Sequence, residues 1–95
     1  MNDTSILLNY LRAITASGSI SAAARQLYIS QPYLSRYIHE KEAELGITLL
    51  NRKTHPISLT DGGAKYLQGI ENLDNQYKSL VSEVNEMTYN QKANI

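Results

Sequence analysis

SISAAARQLYISQPYLSRY, residues 19–37, reads as two short helices joined by a tight turn. Ser21 is placed to cap the first, over Ala22 to Leu27, and its alanines let a neighbouring helix approach closely. Tyr28 and Ile29 make the turn, with Ile29 as an apolar plug beneath it. Ser30 caps the second helix, and Pro32 is tolerated because the first helical turn needs no donor there. This is the layout of a helix-turn-helix, whose second helix enters the DNA major groove.

The second helix runs to about Leu45 and stops at Gly46. At 100° per residue, Leu34, Ile38, Lys41 and Leu45 share the core face. Lys41 is a misfit there and is expected at the edge, its stem buried and its ammonium wet. Pro32, Arg36, His39 and Ala43 lie opposite, with Gln31 and Ser35 on one flank and Tyr33 and Tyr37 on the other. Gln31, Ser35 and Arg36 carry side chains that hydrogen-bond base edges or phosphates. Tyr33 has two readings, contact with a phosphate or thymine methyl and packing against the preceding helices.

Working outward, residues 4–17 place Ile6, Leu7, Tyr10, Leu11 and Ile14 at helical spacing, with Thr4 as cap and Gly18 as stop. Downstream, residues 47–52 and 57–59 are short apolar stretches around a polar, Pro-containing tip, a hairpin. A hairpin directly after a recognition helix is a wing, and its tip offers Arg52, Lys53 and His55 to phosphates or a neighbouring groove. Arg52 has a second reading as the partner of an acid on the next helix.

That helix opens at Thr60, its cap. From there Tyr66, Ile70, Leu73, Tyr77, Leu80, Val84 and Met87 alternate in steps of four and three, a heptad seam. A helix over 61–88 spans about 40 Å, more than so small a head covers, so the seam points to a second copy of the chain. The expected fold is mainly α: a winged helix-turn-helix of three helices and a two-stranded wing over residues 1–60. The long dimerisation helix follows over 61–88 and a flexible tail over 89–95.

Composition narrows the alternatives. The chain has no Cys and so neither disulfides nor thiolate metal sites. His39 and His55 show no metal-ligand spacing, so no metal or cofactor is expected. No phosphate-cradling Gly-rich loop or nucleophile elbow supports an enzyme. The start MNDTSILLNY lacks the basic and apolar regions of a signal peptide, and a cytoplasmic protein is expected. Net charge is formally zero, yet unevenly spread. Residues 1–65 hold seven Lys or Arg against five acids, and residues 66–95 two against four. The basic head suits DNA only mildly. The rival is a winged-helix protein–protein interaction adaptor, which a salt-dependent gel shift separates from a DNA binder.

The ordered motifs Gly18-Ser-Ile-Ser-Ala-Ala-Ala24, Ser30-Gln-Pro-Tyr-Leu-Ser-Arg36, Glu42-Ala-Glu-Leu-Gly46 and Leu59-Thr-Asp-Gly-Gly63 resemble the LysR-type bacterial transcriptional regulators. The resemblance covers roughly residues 5–88. It implies sequence-specific binding of double-stranded DNA, with Gln31, Pro32, Ser35 and Arg36 meeting the DNA and the wing reaching a minor groove. It also implies a homodimer joined through the long helix. His55 stands where the family often has Arg, and Lys41 where it usually has Leu. Such regulators normally continue into an effector domain that senses a small molecule. That domain is absent from this chain, so an effector is expected only if one follows.

Overall fold

The computed structural model describes residues 2–93, with side chains from 4 to 89. The element order is α1 (Asn2–Ser17), α2 (Ile20–Leu27), α3 (Gln31–Leu45), β1 (Leu50–Asn51), β2 (Ser58–Leu59) and α4 (Asp61–Ala93). The strands are antiparallel, pairing Leu50 with Leu59 and Asn51 with Ser58.

The helices contribute apolar faces close to those their periodicity dictates, except that in α1 Leu8 is buried and Ile6, expected on that face, is exposed. Leu7, Leu8, Leu11 and Ile14 of α1 are buried against Ala23 and Ala24 of α2 and Leu34 and Ile38 of α3. Leu49 and Leu50 close the core at the base of the wing, and Ile70 reaches in from α4. Each fully buried Leu or Ile stabilises the head by about 1.5–3 kcal/mol relative to exposure. Ile29 is half-buried against this core beneath the α2–α3 turn.

The helix ends show which local signals won. Ser30 caps α3 by accepting from the Tyr33 N–H at 3.2 Å, and Gly46 ends it in the left-handed region. The cap of α2 is Ser19, whose hydroxyl accepts from the Ala22 N–H at 3.0 Å, and not Ser21. Ser21 lies inside α2 and accepts from Arg25. Thr4 likewise lies inside α1, which begins at Asn2, so it is not a cap. Leu45, assigned to the core face of α3, is 36% exposed. It sits in the last turn, at the rim of a small cleft that it shares with Thr4 and Leu7 of α1 and Tyr66 of α4.

Two close approaches tie the wing to the helices. Gly18, at φ 82°, accepts a hydrogen bond from the Ile57 N–H at 2.9 Å, and a Cβ there would stand 2.8 Å from the Pro56 Cβ. Gly63 lies so near the Leu49 carbonyl that a Cβ would overlap it. Thr60 locks the same junction: its hydroxyl donates to the Thr48 carbonyl and accepts from the Gly63 N–H, while its N–H donates to the Leu49 carbonyl.

The head therefore extends past residue 60 into α4. Ile70, expected in the dimerisation seam, is 3% exposed, and Tyr66 is half-buried beside it. The physical reason is Gly63, which seats α4 on the wing base and turns Ile70 inward. The far end differs too: helix continues to Ala93 where a flexible tail was expected from 89, and residues 94–95 of that tail lie outside the described residues.

Candidate nucleic-acid interface

From Gln31 to His39, α3 is anchored behind and open in front. Leu34 and Ile38 fasten it to the core, which leaves Gln31, Pro32, Arg36 and His39 exposed and Ser35 half-buried. Arg36 and Gln31 thus project from a rigid helix rather than a loop. Glu40 and Glu44 are exposed on the same helix and dilute its positive charge.

The two tyrosines flanking this face lean toward α1. Tyr37 meets Tyr10 edge-on at 4.9 Å between ring centroids, and Tyr33 lies 6.4 Å from Tyr37. Burial, then a hydrogen bond with Tyr33, raises the Tyr10 phenol above its ordinary pKa. Tyr33 is nonetheless 41% exposed, so its ring braces the first helix while its rim stays open. Lys41 lies at the edge of the core, 17% exposed by side chain, with Nζ 3.1 Å from Glu44 and 5.5 Å from the centre of the Tyr37 ring. The stem covers apolar surface and the charge is met outside it.

The wing divides its three candidate residues. Lys53 and His55 are exposed at the tip. Arg52 turns back: its Nη1 lies 3.2 Å from Oε1 of Glu42, a residue of α3. The acid that Arg52 meets is therefore on α3 and not on the long helix. Glu42 also accepts from the N–H groups of Leu49 at 2.7 Å and Leu50 at 3.3 Å, a role with no periodic signal in the sequence.

On α4, Leu73, Tyr77, Leu80, Val84 and Met87 are 48–63% exposed and form one continuous apolar edge. Val81 and Tyr89 are exposed apolar neighbours outside the heptad spacing. An apolar groove of about 650 Å³ continues this edge toward the head, lined by Ile47, Gly62, Lys65, Tyr66, Gly69 and Leu73, with Ile70 at its inner wall. Among the described residues no cluster of three His, Cys, Asp or Glu is placed to hold a metal, and no helix is long and apolar enough to cross a membrane.

Comparison with known proteins follows the same outline. The family described as "Bacterial regulatory helix-turn-helix protein, lysR family" matches residues 6–64. The HTH-type transcriptional regulator TfdS of Cupriavidus pinatubonensis is 43% identical over 61 residues, which is 64% of this chain and 21% of TfdS. ClcR of Pseudomonas putida, also an HTH-type transcriptional regulator, is 39% identical over 66 residues, 70% of this chain and 22% of that protein. The chain thus spans about one fifth of the length of these curated relatives. Among solved structures, the BenM DBD in complex with catB site 1 DNA superimposes with a TM-score of 0.75 at 34% identity, covering 88% of this chain and 90% of that one. The CbnR DBD–DNA complex gives 0.73 at 30% identity, over 85% and 93%.

Proposed function

The chain belongs to the lysR family of bacterial regulatory helix-turn-helix proteins, and from that premise we propose that it is the DNA-binding portion of a LysR-type transcriptional regulator. In this reading it acts in the cytoplasm and binds double-stranded DNA sequence-specifically. The observation that carries the reading is the exposed arc of α3, Gln31, Pro32, Arg36 and His39, held on a helix whose opposite face is core. Inserted in a major groove, Arg36 and Gln31 hydrogen-bond base edges, Pro32 and Tyr33 offer apolar contact, and Ser35 and His39 reach the walls of the groove. Lys53 and His55 meet phosphates from the wing tip. The DNA complexes of BenM and CbnR domains of like fold support this assignment.

Two copies act together. The exposed edge of α4 from Leu73 to Met87, and the groove beside Gly62 and Gly69, take the long helix of a second copy. That places two recognition helices on one duplex, one for each half-site.

Footprinting tests the reading of bases. Arg36→Ala is expected to weaken specific binding by about 1–3 kcal/mol and non-specific binding much less. A footprint equal to wild type in position and affinity rejects α3 as the reading helix. Binding that does not weaken with salt favours the protein-adaptor alternative.

A further inference from the structure

Glu42 and Arg52 stand on opposite sides of the Gly46 turn, one on the recognition helix and one on the wing. We propose that they form a latch that fixes the wing against α3, so that Arg52 serves DNA binding as a positioning residue and not as a phosphate contact. The proposal rests on the DNA-binding reading and assigns Arg52 a different task within it.

Four residues converge on the Glu42 carboxylate, whose side chain is 11% exposed. Oε2 accepts from the N–H groups of Leu49 and Leu50. Oε1 lies 3.2 Å from Arg52 Nη1 and 3.5 Å from His39 Nδ1. The backbone joins in, because the Glu42 carbonyl accepts from Gly46 and Ile47 at 2.9 and 3.2 Å. One residue therefore closes both the helix end and the entry to β1.

The wing needs such a tether. Each strand is two residues long, a ladder too short to hold a hairpin at a fixed angle by itself. A carboxylate in the last turns of a helix also faces the negative end of the helix dipole. The positive charge of Arg52 and the two N–H donors offset that cost, and the geometry ties all three to the wing.

Arg52 is poorly placed for phosphate. Its side chain is 29% exposed, and Nη2 is buried without a hydrogen-bond partner, while neighbouring Lys53 and His55 are exposed. Bidentate capture of a phosphate needs two outward N–H groups on the guanidinium. Here one is engaged inward and the other is covered.

The salt dependence of DNA affinity separates latch from contact, since each phosphate neutralised adds about 0.9 to the slope of log K against log salt. Arg52→Lys keeps the charge but loses the planar guanidinium whose Nη1 lies between the two oxygens of Glu42. The latch predicts an affinity loss of about tenfold, the scale of one charge-assisted hydrogen bond, with the slope unchanged. Arg52→Gln should lose as much, again at wild-type slope, and combining it with Glu42→Gln should add little. Lys53→Gln, the comparison, should lower the slope. Amide exchange at Leu49 and Leu50 reads the latch without DNA: both should be protected in the wild-type chain and faster in Arg52→Gln. If Arg52→Gln lowers the slope by about 0.9 and Arg52→Lys binds as wild type, Arg52 is a phosphate contact and the proposal is overturned. Unchanged exchange at Leu49 and Leu50 overturns it equally, whether or not the wild-type chain binds DNA.

Discussion

Gly63, Leu67, Ile70 and Asp74 run along one side of α4 and lie against the head, whereas Leu73, Tyr77, Leu80, Val84 and Met87 run along another and stay exposed. Both stripes step by four and three residues, so periodicity alone does not tell them apart. At 100° per residue their centres are about 90° apart around the helix. The inner stripe starts with a glycine pressed on the Leu49 carbonyl and ends with a buried acid. Asp74 is 7% exposed, accepts from Ser5 Oγ at 3.4 Å and lies 3.0 Å from Lys78 Nζ. The outer stripe is apolar throughout. The lesson is that the stripe with the cleaner apolar pattern is the one the single chain leaves open, and close packing rather than hydropathy marks the one it uses.

Substitutions along α4 should separate these roles. Ile70→Ala has the largest expected effect, a loss of about 2–5 kcal/mol in urea-induced unfolding, because it opens a cavity beneath α4. Equal stability of wild type and variant would put Ile70 outside the core. Leu80→Asp should instead leave the head folded and give a monomer in sedimentation. Its DNA affinity should fall by about 10²-fold or more, as two linked heads become two independent ones. A Leu80→Asp chain that stays dimeric would move the interface off the outer stripe.

Smaller effects probe the boundary. Asp74→Ala strips Ser5 and Lys78 of their shared acceptor and should cost about 1–3 kcal/mol. Lys78→Gln should cost less than about 1 kcal/mol, because the Lys78 side chain is 70% exposed. Thermal unfolding of the two variants side by side checks the ranking, and the reverse order would mean that Lys78, not the buried carboxylate, fastens α4 to α1.

Much of the architecture was legible because it rests on local rules. Ser30 with Pro32 marks the start of α3, Gly46 its end, and Thr60 the start of α4, and each lies where its backbone preference puts it. Ser19 and Ser21 both follow Gly18 and both can cap, and only the packed position of α2 selects Ser19. The partner of Arg52 was hidden for another reason. Glu42 is one of several acids within reach of a flexible arginine, and the Gly46 turn that brings the two together leaves no periodic trace. Ile70 obeys the heptad spacing but is claimed by the head, because sequence spacing does not report that α4 sits on Leu49. In the candidate site, the exposure of Gln31, Arg36 and His39 followed from the helical wheel of α3. The inward turn of Arg52 did not.

In the proposed function two heads, joined through the outer stripe of α4, read one duplex together. Selection from a random double-stranded DNA library by the wild-type chain tests it most directly. The expected result is enrichment of two copies of one short motif related by a two-fold axis, centred about one helical turn or a multiple apart. Leu80→Asp should recover at most a single copy. Absence of any enriched sequence, or enrichment of the same paired site by Leu80→Asp, would contradict it.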